Sequence, residues 1–331
     1  MMNIRDFKSI IIIFLYFVFN LAIVFIGLTT EPAKNESNQL AKSLAPEFTE
    51  ISQLEYFHLK DSTPQMSLSA EHMKSQNEDF AEFTVPKGVY NYQEKNKLIQ
   101  YEALEGIYQK NREILVLSKN VKIHSEKSDY QADHLKYYFK KDVIVGKGNV
   151  KFEGEDPKSK DFVSIKSDFM RAKPEAQVSR FKGNVQGSME RKRKYEGKMT
   201  FASSVFEFDG NKSLANLTGG VHLKRDNYDI TAGKGDIYLE NYNKKLKYFV
   251  LNDDVKVLEK LETKQGLQER KAYAERLEGF GSDQKMILTG APRVEMGKDI
   301  IKGYRITIRE NIDLVEVDDA MSDVQVKRPK D

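Results

Sequence analysis

The sequence of 331 residues contains no cysteine and no tryptophan. Without cysteine the chain cannot form a disulfide, a cysteine-ligated zinc site, an iron–sulfur cluster, a thiol nucleophile or a cysteine-linked lipid anchor. It also lacks an excess of one charge, since 53 Lys and Arg residues oppose 50 Asp and Glu residues, for a formal net charge of +3. Nucleic acid is therefore not expected as a main partner, because neutralising phosphates requires a clustered positive excess.

The sequence motifs that carry catalysis are absent as well. No Gly-x-x-x-x-Gly-Lys-Ser/Thr occurs, so the chain has no recognisable loop for hydrolysing a nucleotide. The five histidines form no His-x-x-x-His pair, and no Gly-x-Ser-x-Gly elbow accompanies them. His124 and His134 could meet across a hairpin as metal ligands, although two exposed strand histidines are the favoured interpretation. We therefore expect no enzyme, no metal and no cofactor.

One long apolar run, Ile10–Leu28, lies near the amino end and contains 19 residues without a charge. As a helix it spans roughly 28 Å, close to the bilayer core of about 30 Å. A cleaved signal peptide competes with this interpretation, but its apolar run has about 7–15 residues and ends at small residues. Arg5 and Lys8 precede the run, while the first charges after it cancel. The positive-inside rule thus favours a single-pass anchor with a cytoplasmic amino terminus.

From residue 51 onward, short alternating apolar and polar runs predict β-strands, with almost no helical periodicity. Turn-forming residues separate the runs and predict tight reversals between short strands. These predicted reversals are Ser118-Lys119-Asn120, Gly146-Lys147-Gly148-Asn149, Gly210-Asn211 and Gly219-Gly220. An all-β fold is the only class that fits.

A short motif, a turn residue followed by Gly, Asn or Asp and then Val, recurs along these strands at intervals of 29 to 37 residues. Its copies end at Val121, Val150, Val185, Val221, Val255 and Val324, with a degenerate copy at Gly290-Ala291-Pro292. A second element recurs about 18 residues upstream, as Ala132-Asp133, Ser167-Asp168, Ser203-Ser204 and Ala274-Glu275. Such periods predict units that bury their apolar faces only by stacking on their neighbours.

Polar interruptions of this series predict the domain boundaries. The stretch from Glu190 to Lys194 is interpreted as a solvated turn between two modules, or alternatively as a basic patch for anionic head groups. A second insertion, Glu259–Arg270, is predicted to be the tip of a long hairpin. The predicted order is a cytoplasmic tail at 1–9, the transmembrane helix at 10–28, a linker at 29–50, and β-modules at 51–188 and 195–328.

The anchor, linker and repeats together resemble the LptC family of lipopolysaccharide-export proteins and its relatives, LptA and other OstA-like domains. The first module is similar to LptC in Leu68-Ser69-Ala70-Glu71, Ala103-Leu104-Glu105-Gly106-Ile107-Tyr108, Ile114–Val121 and Tyr130-Gln131-Ala132-Asp133. The second module is similar to OstA-like repeats in Leu217–Val221, Leu288–Val294 and Ile301–Tyr304. Because the chain is much longer than LptC, it looks like an LptC-type module with an extra OstA-like module in series.

The resemblance implies an open, V-shaped β-jellyroll of two antiparallel sheets, whose apolar inside carries the acyl chains of lipopolysaccharide. It implies a non-enzymatic bridge in the periplasm, anchored in the inner membrane beside an ABC transporter of the LptB, LptF and LptG type. The next partner would be an LptA-like bridge protein or the LptD-type translocon of the outer membrane. A structural envelope scaffold with a closed core and no lipid cargo is the alternative.

Alternation along the strands selects the side chains expected to face this groove. In the first module they are Leu115, Leu117, Val121, Ile123, Val143, Val145, Val150 and Phe152. In the second they are Phe206, Phe208, Leu217, Val221, Leu223, Ile237, Leu239, Leu251, Val255, Val257, Ile306 and Ile308. Every β-sandwich alternates in this way to fill a closed core, so the pattern alone does not distinguish a groove from a core.

Unpaired strand edges suggest where partners add to the modules, because edge strands are mated or covered in native proteins. We expect the strand that contains Met66, Leu68 and Ala70 to meet the periplasmic domain of the transporter. We expect the segment with Val324 and Val326 to receive the next bridge subunit.

Overall fold

The computed structural model describes residues 49–323 except for short gaps at 61–62, 78, 93–96, 110, 126–127, 142, 156–160, 174–175, 191–197, 226, 241–245, 264–265, 281–284, 310–314 and 319–320. The predicted anchor at 10–28, most of the linker, and Val324 and Val326 lie outside these residues. Within the described part of the chain, no helix is long and apolar enough to cross a membrane.

Nearly all described residues lie in β-strands, apart from connecting turns and a short 3-10 helix at Phe139–Lys141. Every strand pairing whose register the structure describes is antiparallel. The prediction of an all-β fold is therefore confirmed. The chain divides into two compact units: an amino-terminal unit, residues 2–153 and 169–176, and a carboxy-terminal unit, residues 154–168 and 177–331.

The strands of the amino-terminal unit are β1 Thr49–Lys60, β2 Thr63–Asn77, β3 Phe80–Thr84, β4 Lys87–Tyr92, β5 Lys97–Glu102, β6 Glu105–Gln109, β7 Ile114–Ser125 and β8 Ser128–Tyr138. Of these, β2 and β7 each belong to two layers. The first half of β2 pairs with β4 and its second half with β3, while β7 pairs with β6 and then with β5. The β3 layer thus runs β2–β3–β6–β7 and the β4 layer runs β2–β4–β5–β7, with β1 and β8 extending both.

Two strands, β9 Val143–Glu155 and β10 Phe162–Lys173, contribute residues to both units. The remaining strands belong to the carboxy-terminal unit. They are β11 Val178–Glu190, β12 Lys198–Asp209, β13 Leu214–Arg225, β14 Tyr228–Leu239, β15 Leu246–Thr263, β16 Gly266–Phe280, β17 Lys285–Thr289, β18 Arg293–Met296, β19 Asp299–Lys302, β20 Arg305–Arg309, β21 Val315–Asp318 and β22 Met321–Asp323.

The carboxy-terminal unit also has two layers, which share its long strands. The second half of β16 pairs with β17, and that β17 layer continues through β20 to β21. The first half of β16 pairs with β18, and that β18 layer continues through β19 to β22. Strands β11 to β15 pair in sequence along their whole length and so extend both layers.

The long strands pass from one layer to the other at two-residue bulges. The register with the neighbouring strand shifts between Ser118 and Val121, Lys182 and Val185, Thr218 and Val221, and Asn252 and Val255. The skipped residues all have positive φ: Lys119, Asn120, Gly183, Asn184, Gly219, Gly220, Asp253 and Asp254. Gly, Asn and Asp are the residue types that adopt this conformation most easily, which explains the composition of the repeated motif.

The prediction of tight reversals at residues 118–120, 146–149 and 219–220 is therefore wrong. The chain continues in the same strand through each of these segments. Bulges and hairpin turns both use positive φ, so the residue types alone do not separate them. Only Gly210-Asn211 lies in a true turn, between β12 and β13.

In three copies the second repeated element hydrogen-bonds to a positive-φ pair within the following strand. In the fourth copy it contacts Gly290, which lies in the connection between β17 and β18. The side-chain amide of Asn149 donates to Asp133 at 2.9 Å, and that of Asn184 donates to Asp168 at 2.8 Å. The hydroxyl of Ser204 donates to the carbonyl of Gly219 at 2.7 Å, and the backbone N–H of Glu275 donates to the carbonyl of Gly290 at 3.2 Å. One copy of the sequence repeat therefore corresponds to two long strands joined by this contact.

Candidate functional site

The valine that follows each bulge marks the line where the two layers of a unit meet. Val121, Val185, Val221 and Val255 are at most 2% exposed. Three of the four residues opposite them are Ala132, Ala232 and Ala274, and the fourth is Ser203. Small partners at this line let the two layers approach closely, so that larger inward side chains stack on either side of it.

In the carboxy-terminal unit, the strand registers align inward side chains into apolar rows that run across the strands. One row in the β17 layer crosses nine strands, which at about 4.8 Å per strand spacing gives about 38 Å. It consists of Phe181, Phe206, Leu217, Gly235, Leu251, Leu277, Leu288, Ile306 and Val317. A row in the β18 layer consists of Gly187, Phe201, Leu223, Ile230, Val257, Ala272, Val294 and Ile301.

The amino-terminal unit has shorter rows of the same kind. In the β3 layer, one row consists of Ile51, Met73, Phe83, Gly106, Leu117 and Leu135. In the β4 layer, one row consists of Leu68, Gly88, Tyr101, Ile123 and Tyr130. Apart from the glycines, these side chains belong to, or pack against, one buried cluster.

Most side chains predicted to face a groove lie inside the units. Fifteen are at most 7% exposed: Leu115, Leu117, Val121, Val143, Val150, Phe206, Leu217, Val221, Leu223, Ile237, Leu251, Val255, Val257, Ile306 and Ile308. The other five, Ile123, Val145, Phe152, Phe208 and Leu239, are half-buried. Among the described residues, these candidate positions are thus covered by the chain's own side chains. The lipid-facing role assigned to these residues stays a prediction.

At the start of β9, side chains on both faces of the strand are at least partly buried. Ile144 packs against the buried cluster of the amino-terminal unit. Val143 and Val145 occupy the alternate positions, and neighbouring residues of a strand face opposite sides. The positive-φ residues Gly148 and Asn149 interrupt the alternation before Val150, which is 1% exposed. Val143 is nevertheless only 4% exposed, so burial at the start of β9 does not follow a strict period of two.

Several inward residues were not among the sequence candidates, notably those on the strands that carry the second repeated element. On β8 and β16 the buried positions include Ala132 with Leu135, and Ala274 with Leu277, each pair three residues apart. In each strand one residue, Asp133 or Glu275, lies opposite a two-residue bulge of the neighbouring strand and shifts the alternation. A strict period of two therefore misses Leu135 and Leu277. The recurring Ala-Asp or Ala-Glu pair is the signal that could have located this shift.

The strand with Met66, Leu68 and Ala70 is not an edge of the sheet. Met66 and Leu68 are paired on one side with β1 and on the other with β4, and Ala70 is paired with β1. Leu68 and Ala70 are only 3% and 4% exposed. The 12-residue strand β1 covers that side of β2, a pairing that the sequence did not indicate. At the other end, β22 pairs with Ile300–Lys302 of β19 just before Val324.

A buried ion pair lies in the interior of the carboxy-terminal unit. Glu259 of β15 and Arg270 of β16 face each other, and each side chain is 1% exposed. Two nitrogens of Arg270 donate to Oε2 of Glu259, at 2.6 and 3.1 Å. Asn227 donates to the other carboxylate oxygen at 3.3 Å. The strands of this hairpin extend to Thr263 and Gly266, so the predicted polar tip at 259–270 is instead largely paired strand.

Arg270 also connects the two layers of this unit. Arg270 is paired with Met296 of β18, in the β18 layer. Its Nη2 donates at 2.9 Å to the carbonyl of Arg309 of β20, in the β17 layer. Both residues lie well away from the bulge line along their strands. The guanidinium group therefore bridges the layers on the side opposite to the line where they meet.

The two histidines considered as metal ligands lie on the outer surface of the amino-terminal unit. His124 contacts the carboxylate of Asp129, and Nδ1 of His134 lies 3.1 Å from the hydroxyl of Ser118. Both histidines are exposed, and they have separate partners. Among the described residues, no group of three or more His, Asp or Glu side chains could hold a metal ion.

Comparison with known families agrees with this architecture. Residues 15–190, 176 of 331, match the family model described as lipopolysaccharide-assembly, LptC-related. Residues 201–313 match the model described as LptA/(LptD N-terminal domain) LPS transport protein. A search of curated proteins gives no match.

Among solved structures, this chain is similar to LptH, the LptA-homologous periplasmic component of the lipopolysaccharide transport device of Pseudomonas aeruginosa. The two share 13% identity over 39% of this chain and 95% of that chain, with a TM-score of 0.35. Because the family model covers more than half of the sequence, the chain belongs to the LptC-related lipopolysaccharide-assembly family.

Proposed function

We propose that this protein is a membrane-anchored periplasmic bridge component that binds the acyl chains of lipopolysaccharide and passes them towards the outer membrane. The observation that carries the proposal is the set of apolar rows that cross the strands inside each unit. The longest row contains no charged residue over nine consecutive strands. A lipid chain that lies across the strands would meet apolar side chains at each step.

The physical need for such a track follows from the cost of exposing acyl chains. Each methylene moved from lipid into water costs roughly 0.8 kcal/mol, so a twelve-carbon chain costs on the order of 10 kcal/mol. A continuous apolar interior avoids this cost but sets no direction. Because the chain has no nucleotide-binding loop, we assign the energy supply to an ABC transporter of the LptB, LptF and LptG type.

The bulge line is the proposed hinge for admitting a lipid. Since the inward side chains are covered by the chain itself, acyl chains would have to part the two layers or displace side chains between them. The layers share a covalent backbone at the bulges, and on the opposite side Arg270 joins them by hydrogen bonds. Opening along that opposite side would break side-chain contacts while keeping the strands of each layer paired.

The same burial also favours the second candidate, a structural envelope scaffold with a closed core. Fifteen of the predicted groove residues are at most 7% exposed, as expected for an ordinary sandwich core. The two candidates differ in cargo, because only the first requires a glycolipid to accompany the protein.

We propose that partner domains add to the ends of the sheets. Since β2 is paired on both sides, we assign the transporter contact to β1, whose register is with β2. The segment with Val324 and Val326, which follows β22, would receive an LptA-like bridge protein or the LptD-type translocon. Strand edges that are paired with a partner domain would also be protected from aggregation.

Isolation of the intact protein in mild detergent, followed by mass spectrometry, tests the proposed cargo and partners together. We expect lipopolysaccharide, the transporter subunits and a downstream bridge protein to co-purify. Proline at Val324 or Val326 removes a ladder hydrogen bond and should release the downstream protein, whereas alanine at the same positions should not. Recovery of the partner proteins without glycolipid would favour the scaffold over the lipid track.

A further inference from the structure

Aromatic rings cover glycines of neighbouring strands in both units. A Cβ atom added at any of these glycines would overlap the covering ring or its hydroxyl, so each glycine makes room for its partner. In the carboxy-terminal unit the pairs are Phe201 over Gly187 and Phe249 over Gly279; in the amino-terminal unit they are Tyr101 over Gly88 and Tyr130 over Gly146.

The phenylalanine pairs provide an internal comparison for the tyrosines. Phe201 and Phe249 fill the space above a glycine without a hydroxyl, so a hydroxyl is not required for this packing. Tyr130 nevertheless has a hydroxyl group, and its oxygen is buried inside the amino-terminal unit. Among the described residues it has no hydrogen-bond partner. A buried polar group without a partner lowers stability, and most native proteins avoid it.

The surroundings of Tyr130 are otherwise apolar. It lies in the row of the β4 layer opposite Ile123 and packs with it against the buried cluster. Tyr101 is two strands away in the same row. Burial raises the pKa of Tyr130 above its ordinary value, so the phenol stays protonated and can both donate and accept a hydrogen bond.

We propose that the Tyr130 hydroxyl is a hydrogen-bonding subsite for a hydroxyl or carbonyl group carried on a lipid acyl chain. The proposal deepens the proposed function and depends on it. An acyl chain in the interior would present mostly methylene groups to the apolar row. A polar substituent on that chain would find its partner at Tyr130, and the uncompensated hydroxyl would gain a hydrogen bond only when this ligand is present.

The test compares two fatty acids on the full chain held in amphipol. The probes are 3-hydroxytetradecanoate and tetradecanoate, and each displaces a fluorescent fatty acid. We expect the wild-type protein to bind the hydroxylated probe about 3- to 10-fold more tightly, the range that one net hydrogen bond provides. Tyr130→Phe should abolish this preference, keep the affinity for tetradecanoate and raise the unfolding temperature.

The matched control is Tyr304→Phe, which removes the same hydroxyl from a side chain that is 78% exposed. It should leave the probe preference and the unfolding temperature unchanged. An equal affinity of the wild-type protein for both probes would overturn the subsite while the proposed lipid track stands. Loss of both probes to the same extent in Tyr130→Phe would also overturn it, since that result indicates a structural role. Failure of the wild-type protein to bind either probe would overturn both proposals.

Discussion

Arg270 and Glu259 have the most costly surroundings of any charged residues in the described part of the chain, because both side chains are 1% exposed. Removing charges from water is expensive, and their attraction offsets that cost only with good geometry and further hydrogen bonds. Asn227 and the Arg309 carbonyl provide those additional contacts. Each member of the pair therefore depends on the other for its stability inside an apolar interior.

Arg270→Met should destabilise the carboxy-terminal unit by about 3–5 kcal/mol, because it leaves the Glu259 carboxylate buried without its partner. The double variant Glu259→Leu with Arg270→Met should recover most of this loss, since no buried charge remains. Urea unfolding of the full chain in mild detergent, followed by circular dichroism, measures the difference.

The control for this comparison is the exposed pair of Lys119 and Glu105, whose side chains are 60% and 51% exposed. Glu105→Gln should change the free energy of unfolding by no more than about 1 kcal/mol. If the double variant were as unstable as Arg270→Met alone, the loss would come from packing and not from the isolated charge.

The contribution of Asp209, in the turn between β12 and β13, to the free energy of unfolding depends on pH. The backbone N–H of Lys212, assisted by its ammonium group and by the N–H of Asn211, holds the pKa of Asp209 below its ordinary value. The carboxylate therefore contributes stability above the unfolded pKa of about 3.9 and loses it as the pH falls through the lower folded pKa. Asp209→Asn keeps an acceptor oxygen without the titration, so its free energy of unfolding should vary less with pH below about 4. Parallel pH profiles for the two proteins would contradict this assignment.

At the scale of structural elements, the bulges fix where each strand passes between layers. Gly219 and Gly220 form a matched pair, with φ of 81° and 80°. A Cβ at Gly219 would lie 2.6 Å from the Cβ of Ser204, whereas a Cβ at Gly220 would meet nothing within 4 Å. The two positions therefore separate the cost of backbone strain from the cost of a steric clash.

Gly220→Ala should destabilise the unit by about 1–2 kcal/mol, the cost of placing a Cβ in the left-handed region. Gly219→Ala should cost more, because Ser204 must also move away from its hydrogen bond with the Gly219 carbonyl. Urea midpoints of the two variants provide the comparison. Equal losses would indicate that the contact with Ser204 contributes nothing at the bulge.

The sequence predicted which residues form the repeat but not what each repeat does. Val121, Val221 and Val255 are buried as the alternation indicated. The preceding Gly, Asn and Asp residues are bulges and not reversals, because positive φ serves both geometries. A reversal and a bulge differ in the direction of the following strand, which depends on pairing with residues distant in the chain. Sequence patterns over a few residues do not indicate that pairing.

At the scale of the whole molecule, the order of the two family matches agrees with the order of the two predicted modules. Strand class and most interior positions could be predicted, since a half-buried strand imposes a period of two on its residues. Three features could not be predicted, because each depends on contacts between distant strands: the topology of the layers, the covering of β2 by β1, and the burial of Arg270. The strand expected to meet the transporter is paired on both sides, and the contact itself stays a prediction.

The central claim is that lipid acyl chains lie against the inward rows, and a photo-crosslinker scan along β13 tests it most directly. Val221 and Leu223 are buried, while His222 and Lys224 between and beside them are exposed. In cells that contain the active transporter, crosslinkers at Val221 and Leu223 should capture lipopolysaccharide, and those at His222 and Lys224 should not. Capture at none of the four positions, or equally at all of them, would contradict a lipid track inside this unit.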